Sequence, residues 1–416
     1  MVTFLLLISP TLLDAKTSHE CILNHPMKKN SYYTLAYIAC SASIALTSVI
    51  AQEVRSTMNS LLHPFRAIQP YIASEDKFLS PGNTERVFKV IQDLRANFHK
   101  LEDVSSKYHA LPGFDENLKA VADLLDDSSR RFNEGKKSYA WWRLRKLPSD
   151  CFTCHATYKV ESHYSNAGVI DQSLDPLNRA RFLLATRQFN EAQEAFLSVL
   201  KDPEYQLNFN EALRSLVLIT TRINRTPAEG SQQLKSIVHN TELPDEDARE
   251  ALQWANELDA WSKEKPSASG NSIQRAERLI QLGSNASPDS PQNDVALLRG
   301  TAILHQQLED GKLSAELRPR ALYLLGFAYT KLPLFFSESW AEMYLERCIN
   351  EFPGTVMAQK AYLVYREQII DDYTGTAGTD IPAEIKLHLD ELHHKAFGTG
   401  KFSPLVRDHS GKSARM

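Results

Sequence analysis

Glycine is scarce in this chain of 416 residues, with only 16 copies, well under the usual share of about 7 %. A chain so poor in it forms few tight turns, so helices are expected rather than many short strands. Cysteine numbers five, too few for a disulfide framework at this length. Charge of neither sign prevails. Lys and Arg total 47 against 51 Asp and Glu, a formal net charge of −4, which argues against a nucleic-acid partner. Motifs of enzymes are missing too: there is no Gly-rich phosphate loop, nucleophile elbow or paired-carboxylate arrangement. What is present, 43 % hydrophobic and 24 % charged residues, suits a globular protein of two or three domains.

Long apolar runs are lacking except near the start. Met27-Lys28-Lys29-Asn30 is a short basic segment, followed by apolar sequence from Tyr32 to Ile50 and by small residues at Val49-Ile50-Ala51. That order is the pattern of a secretory leader, so residues 1–51 are expected to be a leader with its better start at Met27 and a mature chain from Gln52. Ser, Thr and Cys weaken the run as an uncleaved membrane anchor. Lipidation at Cys40 would want an aliphatic residue where Tyr37 stands. Cleavage removes Cys21 and Cys40, leaving Cys151, Cys154 and Cys348.

Two of those three belong to Cys151-Phe152-Thr153-Cys154-His155, the strongest chemical signal in the chain. Cys-x-x-Cys-His is the attachment pattern of c-type haem: each thiol forms a thioether with a haem vinyl group, and the adjacent imidazole binds iron. Two other chemistries use similar spacing. A thioredoxin-like dithiol needs a preceding buried strand, and Tyr139 to Leu147 is too rich in Arg and Lys to be one. Structural zinc needs a fourth ligand, and only His163 is near, at an unusual spacing. Export and haem agree, because c-type haem is attached outside the bacterial cytoplasm; a periplasmic location follows.

Residues 52–165 carry four helical patterns. Val54, Met58, Leu61, Phe65, Ile68 and Ile72 share one stripe, with Pro64 expected to kink it. The second pattern opens at Asn83 as N-cap and carries Val87, Val90, Leu94, Phe98, Leu101 and Val104. A third has Leu118, Val121, Leu125 and Phe132 and stops near Gly135. The last starts near Lys136, breaks at Pro148 and restarts with Ser149 as N-cap into the cysteine motif. Short connections imply an up-down four-helix bundle.

Together these features resemble the cytochrome c-prime family, in which the last helix of such a bundle carries Cys-x-x-Cys-His-x-x-aromatic-basic, here Cys151, Cys154, His155, Tyr158 and Lys159. The resemblance covers about a quarter of the chain. It departs at Pro148, and in the 250 or so residues that continue beyond the motif. It implies His155 as proximal iron ligand and a distal face lined by the first helix, where Met58 is a candidate sixth ligand. A plain core methionine is the alternative, leaving iron open to small gases. His63, His99 and His109 are rival ligands. Arg143 and Arg145 are candidate partners for the haem propionates, or simply a solvated basic face. Trp141 and Trp142 are expected to pack the bundle.

Everything from Asp171 onward reads as helix after helix, in segments 171–265 and 271–398, with breaks at Lys263 to Ser272 and Gly283 to Asn293 acting as hinges. Leu325-Gly326, Tyr329, Leu332-Pro333, Ala341, Leu345, Cys348 and Pro353 resemble a tetratricopeptide repeat with about three extra residues at its turn. There Cys348 is a small buried residue, and an irregular helical-repeat solenoid able to hold a protein partner is implied. His388, Asp390, Glu391, His393 and His394 form a charged helical face rather than a metal site, and residues 399–416 a disordered tail.

The whole reads as all-α: a haem-bearing four-helix bundle followed by a repeat solenoid. The expected role is a periplasmic monohaem cytochrome c that passes single electrons, the repeats docking a redox protein. A membrane association depends on an uncleaved leader, and no stripe is diagnostic of a dimer. The alternatives are a haem-based gas sensor and an assembly scaffold in which haem is incidental.

Overall fold

The computed structural model describes residues 56–102, 109, 113–157, 174–265, 271–285, 293–311, 313–332, 340–376 and 378–398. The leader, Val54, Val104, Tyr158, Lys159, His163, Pro333 and the C-terminal tail lie outside the described residues. The described chain is all-α. Its only strands are the two-residue β1 (Thr374–Gly375) and β2 (Gly378–Thr379), paired antiparallel.

The first helix, α1, spans residues 56–72 and continues through Pro64. Its stripe is buried as the spacing predicts, with Leu61, Phe65, Ile68 and Ile72 facing inward. A short helix α2 (Glu75–Leu79) follows, started by the Ser74 hydroxyl, which accepts the Lys77 N–H. The next helix, α3 (Thr84–His99), buries Val87, Val90, Leu94 and Phe98. Asn83 stands at its N-cap position but does not cap: its Nδ2 donates instead to the Lys77 carbonyl at 2.9 Å, tying α2 to α3. Then comes α4 (Phe114–Asn133), which ends where Gly135 turns to φ 82°. Helices α5 (Lys137–Leu144) and α6 (Leu147–Thr157) complete this part. The break between them falls at Arg145-Lys146, and Pro148 sits in the first turn of α6, where its missing N–H costs nothing. Ser149 is therefore inside that turn rather than its cap.

Eleven further helices follow among the described residues: α7 (Pro176–Ala185), α8 (Phe189–Val199), α9 (Phe209–Leu218), α10 (Pro227–Asn240), α11 (Asp245–Ser262), α12 (Ser272–Ser284), α13 (Asp294–Glu309), α14 (Leu317–Lys331), α15 (Trp340–Glu351), α16 (Val356–Asp372) and α17 (Ala383–Phe397). Sequence neighbours pack together: α7 on α8, α10 on α11, α12 on α13, α14 on α15, α15 on α16. Glycine permits the closest crossings. A Cβ on Gly326 would lie 2.6 Å from Leu345 Cγ, and one on Gly300 would lie 2.8 Å from Ile280 Cγ1. Cys348 is fully buried between the same helices, its thiol pushed up to about 12 by desolvation.

The described residues cluster as one compact unit. Phe152 of α6 belongs to the same apolar core as α7 to α17, and Phe65 of α1 stacks on Phe182 of α7 at 5.6 Å. The breaks near 265 and 290 are tied at their ends. Arg299 pairs with Glu264 while lying 4.4 Å over Trp261, and the Asn293 N–H donates to the Gly283 carbonyl.

Burial also pushes the Glu257 carboxyl up to about 7, with Asp294 adding to the shift and hydrogen bonds from Gln253 and the Val295 N–H opposing it. An unfolded Glu titrates near 4.3. Between those values the unfolded chain sheds a proton that the folded one keeps, so stability falls as pH rises from about 4.5 to about 7 and is level beyond. Glu257→Gln is expected to leave the melting temperature unchanged at pH 4 and to raise it at pH 8 by about 2–4 °C, as read by thermal scans at both values.

Candidate functional site

Helical spacing puts Cys151, Cys154 and His155 on one side of α6, because residues three and four apart stack on the same face. That side closes a narrow apolar cavity, partly open to solvent, with about 80 Å³ of interior space and the mostly hydrophobic lining usual for small-molecule and cofactor pockets. Its walls come from four helices besides α6: Met58, Leu61, Leu62 and Phe65 of α1; Leu94 and Phe98 of α3; Phe114, Leu118, Val121 and Leu125 of α4; and Ala185, followed by Thr186, at the end of α7. Asn117 and Asp150 are among the few polar side chains on this lining. Asn117 Nδ2 is committed to the Gly113 carbonyl at 2.6 Å.

His155 is held by a contact that no motif announces. Its Nδ1 lies 2.6 Å from the Ala185 carbonyl oxygen, so Nδ1 carries the proton and Nε2 is left with its lone pair. The last carbonyls of a helix have no intrahelical partner, and the end of α7 distributes its own with care. The Gln188 N–H donates to the Leu183 carbonyl and the Arg187 N–H to that of Leu184, the pairing of a Schellman turn. Thr186 Oγ1 donates to the Phe182 carbonyl at 2.8 Å. The Ala185 carbonyl is the one directed to the imidazole. Arg187 occupies the left-handed position of the turn, φ 62°, where glycine is usual, at a cost of about 1 kcal/mol. Its guanidinium donates to the His155 carbonyl at 3.2 Å, a contact glycine could not make.

Electrostatics favour uncharged forms. Desolvation, with the Arg187 cation nearby, lowers the His155 imidazole to about 3. Desolvation raises the Cys154 thiol to about 11 and takes Cys151 up strongly, the latter aided by Asp150. Thiols so placed are not the activated thiolates of a dithiol oxidoreductase, which have depressed values. Among the described residues, which do not include His163 but do include the 388–394 cluster, no group of three or more His, Cys, Asp or Glu side chains is arranged to hold a bare metal ion. In that cluster, His388 contacts Glu346 at 3.0 Å and His393 stacks on Phe397.

Of the candidate sixth ligands, Met58 alone lines the cavity. His63 is exposed. His99 has both ring nitrogens engaged, Nδ1 by Glu102 at 2.8 Å and Nε2 by Asp126 at 3.1 Å, contacts that raise its pKa. His109 Nδ1 lies 2.5 Å from Asp115. Arg143 and Arg145 are not on the cavity. The Arg143 Nε lies 3.7 Å from Asp127, the Arg145 guanidinium covers the Trp141 ring at 4.8 Å, and both face a different cleft. Trp141 packs, donating to the Ile72 carbonyl at 3.1 Å. Trp142 does not, being 60 % exposed.

Comparison with known proteins gives no match: no family model, curated protein or solved structure is similar to this chain. The chemistry of the donor set has to speak for itself. Two neutral thiols and one imidazole with a lone pair, on the wall of an apolar cavity, suit a flat hydrophobic cofactor bonded through both sulfurs and ligated through one nitrogen.

Proposed function

We propose that this chain is an exported, periplasmic monohaem c-type cytochrome that passes single electrons, with a cytochrome c-prime-like four-helix bundle from α1 to α6 followed by an irregular helical-repeat solenoid. One observation carries the reading: Cys151, Cys154 and His155 line one apolar cavity, with Nδ1 of that histidine already spent on a backbone carbonyl. Metal-binding histidines are generally oriented by such an outer partner, which also raises ligand basicity. Haem would be held by Cys151 and Cys154 through thioethers and by His155 through iron, and would supply a reversible one-electron couple. The chain's own part is to exclude water with α1, α3 and α4, to keep His155 in one tautomer through Ala185, and to offer Met58 as a sixth donor.

A gas-binding role is the second reading, favoured by the apolar character of the cavity if Met58 stays off the iron. Carbon monoxide decides between them. The ferrous protein is expected to bind carbon monoxide slowly or incompletely, whereas Met58→Ala binds it stoichiometrically within the mixing time and shows a lowered potential. Rapid, stoichiometric binding by the unaltered protein would overturn the Met58 assignment and favour the gas binder. Deletion of residues 171–416 is not a clean test of the repeats, because it removes the Ala185 carbonyl and uncovers Phe152.

A further inference from the structure

Helix α6 has a second face. On another side from the cysteines, Pro148, Ser149 and Phe152 form one wall of a solvent-open cleft of about 600 Å³, whose other walls come from α5, α7, α9 and the 3-10 turn Pro203–Asn208. Arg143, Arg145, Lys146 and Arg181 line it against the single carboxylate of Glu211, a local excess of positive charge in a chain whose net charge is −4. Arg181 is neutralised by a two-pronged pair with Glu211. Arg145 and Lys146 are exposed at the rim. Two large apolar side chains stand uncovered beside them, Trp142 at 60 % and Leu207 at 98 % exposure. Cations around exposed apolar anchors match the usual make-up of an interface that steers its partner by charge and holds it by burial.

Position adds the second argument. The cleft and the cysteine-lined cavity share α6 as a common wall, Phe152 on one side and Cys151 and Cys154 on the other. A body seated in the cleft is separated from the cavity by α6 alone along this shared wall. A binding surface so placed is suited to electron exchange across α6.

We propose that this cleft is the docking site for a one-electron redox protein whose own surface is acidic around an apolar knob, an inference that rests on the haem reading above. In the exchange the partner's centre loses one electron and the iron passes from ferric to ferrous, or the reverse; no bond forms or breaks and no proton moves. Charge brings the partner in, and Trp142 and Leu207 are covered on docking.

The test uses the full-length holoprotein and a reduced plant-type [2Fe–2S] ferredoxin as the acidic probe. Haem reduction followed by stopped flow should slow as ionic strength rises, since surface attraction is screened over about 10 Å at 0.1 M salt. In Arg145→Glu/Lys146→Glu it should slow by about tenfold at low salt, at the lower end of the effect of electrostatic steering, and lose its salt dependence. Reduction by neutral durohydroquinone should be unchanged, showing that the haem itself is intact. Equal rates in both proteins, or an equal loss with the quinol, would overturn the proposal. So would binding to phosphatidylglycerol vesicles that the double variant abolishes while its ferredoxin rate stays normal, since that assigns the cations to a lipid surface. Failure of the haem reading has its own signature, a colourless protein. Calorimetric titration with oxidised ferredoxin then tests docking without haem, and absence of binding sinks it.

Discussion

Cys151→Ser/Cys154→Ser, exported alongside the haem-attachment machinery, is expected to emerge with the mass of the bare polypeptide and no absorption band of a reduced c-type haem. Each thioether needs its own sulfur, so either single variant keeps one bond and a shifted pyridine haemochrome spectrum. Cys348→Ser should retain full haem, since that thiol is buried between α14 and α15, where it donates to the Pro319 carbonyl at 3.4 Å. The double variant should also melt at a lower temperature than the parent. A covalently held haem would pack against the apolar walls and bind His155 only in the folded state, and without it the Leu- and Phe-lined cavity loses the dispersion contacts of its walls. Mass spectrometry of the denatured protein reads the first outcome without reference to activity. An unaltered chain that carries no added mass would end the cytochrome interpretation.

Tyr329 should be the most sensitive position of the C-terminal half. The π-helical turn Ile219–Asn224 at the end of α9 carries Arg222, whose Nη2 donates to Thr301 Oγ1 at 2.8 Å and to the Tyr329 hydroxyl at 3.1 Å. That hydroxyl lies 2.7 Å from His305 Nε2, and His305 Nδ1 lies 3.2 Å from the Tyr344 hydroxyl. Desolvation, with Arg222 nearby, holds the imidazole well below its ordinary value, so it is neutral. The neutral ring carries one N–H, so one of its nitrogens donates to a tyrosine hydroxyl and the other accepts from one, while Tyr329 also accepts from Arg222. Trp340 packs edge-on against both tyrosines. Tyr329→Phe strips one acceptor from a guanidinium and leaves Nε2 unsatisfied in the core, at a cost of about 1–3 kcal/mol. Tyr329→Ala adds the lost ring and a cavity and should cost about 3–5 kcal/mol or more. Urea unfolding measures both as a lower midpoint at unchanged slope. A phenylalanine variant within 0.5 kcal/mol of the parent, roughly the scatter of neutral surface changes, would show that the chain of hydrogen bonds contributes nothing.

Much of the local structure was legible from spacing. The stripe Leu61, Phe65, Ile68, Ile72 is buried as read, and so are Val87, Val90, Leu94 and Phe98 on α3. Gly326 and Cys348 sit at a close helix crossing as the repeat-like pattern implied. Errors arose where a side chain had alternatives within reach. Asn83 was expected to cap α3, yet its amide found the Lys77 carbonyl, because the unanticipated α2 brought that group within bonding distance. Arg143 and Arg145, at the end of α5 and the turn after it, line a different cleft from the cysteine cavity, where Arg143 has Asp127 within 3.7 Å and Arg145 has the Trp141 ring. The Ala185 carbonyl carried no sequence signal at all, since every residue has one and only the register of α7 against α6 selects it. Arg187 did leave a faint trace: a bulky residue in the left-handed position after a helix hints that its side chain is needed there.

The amino-acid order alone determined the helical character and the buried stripes. It also placed two sulfurs and an imidazole on one helical face, because these follow from hydrogen bonds and side-chain spacing within a few residues. Tertiary packing decided what those groups look at. It set Met58 and three helices' worth of apolar side chains across from them, turned the imidazole with a carbonyl thirty residues away, and gathered cations on another side of the same helix. Such relations depend on how distant segments dock, through summed contacts of many side chains, and no short window of sequence contains them.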